Sequence, residues 1–146
     1  VMDHRIFKIP LISYIFRHSG AIPIASAKED PAMMEAAFAE VSKALAAGEL
    51  VAIFPEGNIT RDGELQPFRP GISRILADHP APVIPLALSG LWGSFFSRID
   101  GEAMQKPFRR GLFSRITLRA AAAVAPAEAT PDNLFNIVQA LRGTEK

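Results

Sequence analysis

The chain has 146 residues, 49% of them hydrophobic and 21% charged, with no cysteine; this is the composition of one globular domain and excludes a disordered or collagen-like chain. Missing thiols exclude cysteine nucleophiles, disulfide frameworks and cysteine-ligated zinc or iron–sulfur centres. Sixteen Lys+Arg against fifteen Asp+Glu leave a formal charge of +1, too balanced for a general nucleic-acid binder, and no run reaches the roughly 18 apolar residues of a membrane span.

Residues 7–18 carry Phe7, Leu11, Ile12, Tyr14, Ile15 and Phe16, which predicts a short helix apolar over most of its surface, with Pro10 in its first turn. Residues 21–25 predict a strand, and Pro23 places it at an edge or a strand end. Asp30 as N-cap and Pro31 at the first helical position open a helix whose Met34, Ala37, Phe38, Val41 and Leu45 share one face before Gly48. Residues 50–54 form a continuous apolar run ending at Pro55, the expected look of a buried parallel strand after its crossover helix. Residues 71–78 predict a short helix and residues 82–88 a second buried strand. Ile116, Leu118 and Ala120 alternate with Thr117 and Arg119 as a further strand. Thr130 and Pro131 open a final helix through Leu134, Ile137, Val138 and Leu141, closed by Gly143. The expected architecture is α/β, a mostly parallel sheet flanked by helices.

In open parallel sheets ligands gather at the carboxyl ends of strands, which directs attention to the loop leaving residues 50–54. It reads Phe54-Pro55-Glu56-Gly57-Asn58-Ile59-Thr60-Arg61. A carboxylate and a glycine after a buried strand place one fixed charge and approachable backbone N–H groups at the sheet edge; a tight turn with a solvent-facing Glu56 fits the same residues. Downstream, Pro67-Phe68-Arg69-Pro70-Gly71-Ile72-Ser73-Arg74 presents backbone amides and Arg69 at a helix entrance, a corner that suits a phosphate, although plain solvated cations on a surface helix are the commoner fate of arginines such as Arg69 and Arg74. Gly71-Ile72-Ser73-Arg74-Ile75 lacks the last glycine of a nucleophile elbow and follows no strand directly, which excludes a serine hydrolase. No Gly-x-Gly-x-x-Gly or Walker-type loop follows a predicted strand, so a nucleotide-binding domain has little support.

Between residues 91 and 119, Arg98, Lys106, Arg109, Arg110, Arg115 and Arg119 outnumber Asp100 and Glu102 by four. Leu91, Trp92, Phe95 and Phe96 precede these cations, a combination that fits an anionic membrane surface; Trp92 and Phe95 as core residues at a strand end is the competing reading.

Four segments in order give the chain a resemblance to the glycerolipid acyltransferases, which acylate glycerol phosphate and lysophospholipids. FKIPLISYIF (7–16) resembles the segment leading into the family's second motif, RHSGAIPI (17–24) the second motif, FPEGNITRDGELQPFRPGISRIL (54–76) the third and its continuation, and PVIPLAL (82–88) the fourth. The resemblance implies a glycerol-3-phosphate acyltransferase-like fold, with residues 1–146 a single domain holding motifs two to four. It also implies transfer of a fatty acyl group from acyl-CoA or acyl carrier protein to a hydroxyl of lysophosphatidate or a lysophospholipid. By the same resemblance, no metal, cofactor, acyl-enzyme intermediate or nucleic acid is expected in this reaction, and the enzyme is expected to sit peripherally on the cytoplasmic face of a membrane. Substrate binding would fall to Glu56, Gly57, Asn58, Arg61 and Arg69.

Two departures qualify the likeness. The family's base is a histidine followed five positions later by an aspartate that orients it. Here the fifth residues after His4, His18 and His79 are Ile9, Pro23 and Ile84, so no catalytic residue is assigned; the domain is expected to be N-terminally truncated and the fragment inactive alone. The arginines that commonly close the second motif and stand in the third are replaced by Ser26 and Ile59. Glu56-Gly57-Asn58-Ile59-Thr60 is closer to the Glu-Gly-Arg-Ile-Thr form of bacterial lysophospholipid acyltransferases, with Asn58 at the arginine's place. Loss of a bidentate guanidinium weakens the case for a bare phosphate acceptor, with Lys28, Arg61 and Arg69 as candidates to compensate. The alternative function is a lipid- or acyl-carrier-binding module on a base-less acyltransferase fold.

Overall fold

The computed structural model of the protein describes residues 1–4, 14, 18–94, 97 and 115–144. These fall into two compact units, one of Val1–Phe54 with Arg74–Pro80 and one of Pro55–Ser73 with Ala81–Lys146.

In the first unit, β1 (Met2–Asp3) pairs in parallel with β2 (Pro23–Ile24). The pair is short because Pro23 has no N–H to donate, which fits the edge position expected from the sequence. Helix α1 (Pro31–Ala46) begins as predicted: the Asp30 carboxylate accepts from the Met33 N–H at 2.9 Å, and Pro31 occupies the first turn. Its stripe is the predicted one, with Ala37 and Val41 buried and Met34, Phe38 and Leu45 half-buried. Gly48 follows at φ +77, a left-handed turn that stops the helix at little cost. Helix α2 (Gly71–Asp78) matches its predicted bounds, and from Arg74 onward it belongs to this unit. Ile75 and Leu76 are buried. The Arg74 guanidinium grips the Glu35 carboxylate in fork geometry, Nη1 to Oε1 at 2.8 Å and Nη2 to Oε2 at 2.5 Å, and lies 4.2 Å from the Phe38 ring centre. Arg74 is thus a clip between α2 and α1, not a cation free in solvent.

Residues 50–54 correct the expectation of a buried strand. Among the described residues they pair with no strand; Leu50 is fully exposed and Phe54 is exposed, while Val51 and Ile53 are half-buried. The Ala52 carbonyl accepts from Val1 N at 2.8 Å. A continuous apolar run reports the capacity to be buried on both faces, but a strand also needs neighbouring chains to complete its ladder.

In the second unit, β3 (Leu86–Ser89) and β4 (Thr117–Ala120) are antiparallel, with Leu86 opposite Ala120 and Leu88 opposite Leu118. A separate antiparallel bridge joins Val83 to Val124. The sheet content of the described residues is therefore one short parallel and one antiparallel pair within an α/β fold, not a mostly parallel sheet. Predicted strand 82–88 is shortened because Pro82 and Pro85 cannot donate to a ladder.

Helix α3 (Pro131–Arg142) packs on both strands. The Thr130 hydroxyl accepts from Asn133 N–H at 3.2 Å, and Gly143 closes the helix at φ +61, both as predicted. Ala87 and Ser89 are buried and lie opposite Arg119 and Thr117. Small side chains on this inner face leave room for Leu134 and Val138 of α3, which are buried. The larger residues Leu86, Leu88, Ile116 and Leu118 are 42–63% exposed. Sequence alternation is present, but the covered face is the small and polar one. A Cβ at Gly90 (φ +87) would lie 2.1 Å from the Arg115 carbonyl oxygen, so the chain at the end of β3 passes close to the start of β4 only because this residue is glycine.

The predicted helix over 7–18 lies outside the described residues except Tyr14 and His18, where His18 Nδ1 donates to the Tyr14 carbonyl at 2.8 Å. Phe95, Phe96, Arg98, Lys106, Arg109 and Arg110 also lie outside them.

Candidate functional site

The loop from Pro55 to Arg69 closes on itself through its own polar groups. Arg69 N–H donates to the Pro55 carbonyl at 2.9 Å, and Arg69 Nε donates to the Glu56 carbonyl at 3.0 Å. The Glu56 carboxylate accepts from Gln66 N–H at 2.7 Å. With the Asn58 amide oriented so that its oxygen faces the guanidinium, that oxygen accepts from Arg69 Nη2 at 2.5 Å while its nitrogen donates to the Gly57 carbonyl at 3.0 Å. Glu56 is half-buried, and burial pushes its carboxyl above the usual range, opposed by the Gln66 N–H and the positive field of Arg142. The carboxylate therefore faces the inside of the loop and ties residues 56 and 66 together.

Gly57 has φ +64, and a Cβ there would stand 2.8 Å from Arg69 Nε. Glycine lets the arginine stem lie across the backbone, so the guanidinium rests on fixed partners with one side open to solvent. Arg69 is exposed, a positioned cation that an anion can reach.

The middle of the loop is a polar turn. Thr60 Oγ1 donates to Asp62 Oδ1 at 2.8 Å and accepts from Gly63 N–H at 3.1 Å, while Asp62 Oδ1 also accepts from Glu64 N–H at 2.9 Å. Arg61 is exposed at the tip of this turn, outside the group formed by Glu56, Gly57, Asn58 and Arg69. Lys28 belongs to the first unit, exposed on the turn before α1.

Two residues bear on the loop from afar without having been singled out for it by sequence. Gly63 is buried at φ +82, and a Cβ there would lie 2.7 Å from the Trp92 ring; the half-buried indole packs on the loop backbone. Arg142, in the last turn of α3, donates Nη2 to the Gly63 carbonyl, and its Nη1 lies 3.7 Å from the Glu64 carboxylate. Neither contact has a local sequence signal, because each partner is many residues away.

Elsewhere His4, only 15% exposed, has Nε2 3.4 Å from a Glu29 oxygen and Nδ1 3.6 Å from Asp3. The carboxylates flank the imidazole in the first unit and match no His-x4-Asp spacing. Among the described residues, no group of three or more His, Asp or Glu is placed to hold a metal ion, and no helix is long and apolar enough to cross a membrane.

A family model described as Acyltransferase matches residues 1–89. The chain belongs to the acyltransferase family. It is 33% identical over 85 residues to a chloroplastic 1-acyl-sn-glycerol-3-phosphate acyltransferase of Brassica napus and 31% identical over 85 residues to one of Arabidopsis thaliana. The aligned stretch is 58% of this chain in both, but only 24% and 23% of the relatives' length. No solved structure matches the chain. Within this acyltransferase-family chain, the loop carrying Glu56, Gly57, Asn58 and Arg69 lies inside the matched region, and Trp92, Arg119 and Arg142 lie beyond it.

Proposed function

We propose that this chain forms the acceptor-binding part of a glycerolipid acyltransferase, which moves a fatty acyl group from acyl-CoA or acyl carrier protein to a hydroxyl of lysophosphatidate or a lysophospholipid. The observation that carries the reading is the Arg69 guanidinium, pinned by the Glu56 carbonyl and the Asn58 amide, solvent-accessible, and lying in the family's matched region. A fixed guanidinium with free N–H groups suits a phosphate oxygen and loses little entropy on binding it. Glu56 shapes the loop, its carboxylate accepting from Gln66 N–H. Deprotonation of the acceptor hydroxyl falls to a histidine–aspartate pair of the family's spacing, which residues 1–146 do not contain.

Both lipid substrates are amphiphiles, and the outward Leu86, Leu88, Ile116 and Leu118 supply apolar surface for contact with a bilayer, in line with peripheral attachment at the cytoplasmic face. The Glu56-Gly57-Asn58-Ile59-Thr60 order supports the bacterial lysophospholipid branch.

The test compares a longer chain carrying a His-x4-Asp motif upstream with residues 1–146 alone, in an acyl-transfer assay from a long-chain thioester to lysophosphatidate. The longer chain is expected to turn over and the 146 residues not. Arg69→Met in the longer chain is expected to raise the acceptor KM roughly tenfold, with the thioester KM unchanged. An unchanged acceptor KM, or turnover by the 146 residues alone, contradicts the proposal. Saturable lysophosphatidate binding by a longer chain without turnover would instead favour a lipid- or carrier-binding module.

A further inference from the structure

We propose that Arg142 is a positioning residue for the 55–69 loop, setting from the C-terminal helix the place where Arg69 is held. An arginine in the last turn of a helix ordinarily serves that helix's own terminal carbonyls, where the dipole favours a cation. In α3 this task is taken by another residue: Arg119 of β4 donates Nη1 to the Leu141 carbonyl at 3.2 Å and to the Arg142 carbonyl at 3.4 Å. Arg142 is thereby released to reach the loop, donating to the Gly63 carbonyl and approaching the Glu64 carboxylate. Its side chain is only 12% exposed, so the charge is largely withdrawn from water and must be matched by the loop acceptors it faces.

From there a continuous set of contacts leads to Arg69. Gln66 Nε2 donates to the Glu64 carbonyl at 3.3 Å, Gln66 N–H donates to the Glu56 carboxylate at 2.7 Å, and Arg69 Nε donates to the Glu56 carbonyl at 3.0 Å. Gly63, the residue Arg142 holds, is also the residue on which the Trp92 ring packs. Trp92 is the single tryptophan of the chain, so its emission reports on whether this anchor is intact. All of these residues belong to the second unit.

The functional half of the inference rests on the acceptor role proposed for the loop, whereas the positioning half does not, and two readouts on the 146-residue chain keep them apart. The first is acrylamide quenching of Trp92, alongside thermal unfolding. Arg142→Met, which keeps the length but loses charge and fork, is expected to raise the quenching constant about twofold while the protein remains folded; Arg142→Lys is expected to fall between it and the parent. The second is glycerol 3-phosphate titration, followed at the Arg69 Nε–H resonance. Arg142→Met is expected to weaken this binding roughly three- to thirty-fold, with partial recovery in Arg142→Lys. Should Arg142→Met fail to fold, Arg142→Lys carries both readouts, with a smaller rise in quenching and a smaller loss of binding. Quenching in the folded variants equal to that of the parent overturns the positioning role. If the parent shows no glycerol 3-phosphate binding, the acceptor reading fails, and Trp92 quenching still decides the role of Arg142.

Discussion

Glu56 holds its place through a balance of opposing effects that two substitutions separate. Burial raises its folded pKa above the usual carboxylate value, and the Gln66 N–H and Arg142 counter this only in part. A raised folded pKa means that its contribution to stability is fully present below the unfolded value and is lost as pH rises through the folded one. Glu56→Gln keeps an oxygen for the Gln66 N–H without the desolvated charge. Its stability is therefore expected to equal or exceed the parent's at pH 7, with the advantage shrinking as pH falls below the carboxylate range. Glu56→Ala leaves that N–H unpaired and is expected to cost about 1–3 kcal/mol. Urea denaturation of the three proteins across pH 3–8, a range of roughly five units, checks both signs. At Gly63 the same measurement is expected to show a loss of about 1–3 kcal/mol for Gly63→Ala, because φ +82 is strained for any L side chain and the new Cβ meets the Trp92 ring.

At the scale of elements, what the sequence announced depended on whether its signal was local. Helix α1 is specified by a cap, a proline, an apolar stripe and a glycine within one short window, and Asp30→Ala is expected to lower stability by about 0.5–2 kcal/mol in thermal or urea unfolding. Strands are different. Alternation in β4 tells which residues share a face but not which face a helix will cover, and here Ala87 and Ser89 on β3 made the small face the one that α3 could approach. That left Leu88 and Leu118 outward, opposite each other in the register. Replacing both with lysine is expected to change stability by less than about 1 kcal/mol, since each site is solvated, and to reduce co-sedimentation with neutral phosphatidylcholine vesicles several-fold. Undiminished vesicle binding would remove this face from the proposed membrane contact. Residues 50–54 show the same limit of local signals, because an apolar run cannot reveal whether a neighbouring strand is there to pair with it.

Across the whole molecule, the candidate site was legible as far as it is contiguous. Glu56, Gly57, Asn58 and Arg69 lie on one loop within the region shared with the acyltransferase family, and the structure draws them together. Arg61, equally suggestive in sequence, stands apart at the turn's tip, and Arg142 stayed hidden because its contact spans 79 positions. The proposed function rests on one physical claim: that this loop presents a fixed cation, Arg69, to the phosphate of a glycerolipid head. An NMR titration of the 146-residue chain with glycerol 3-phosphate tests it most directly. Saturable shifts centred on Arg69 Nε–H and the amides of Gly57 and Asn58, abolished in Arg69→Met, are the expected result. Shifts that bypass these groups, or persist in Arg69→Met, would contradict it.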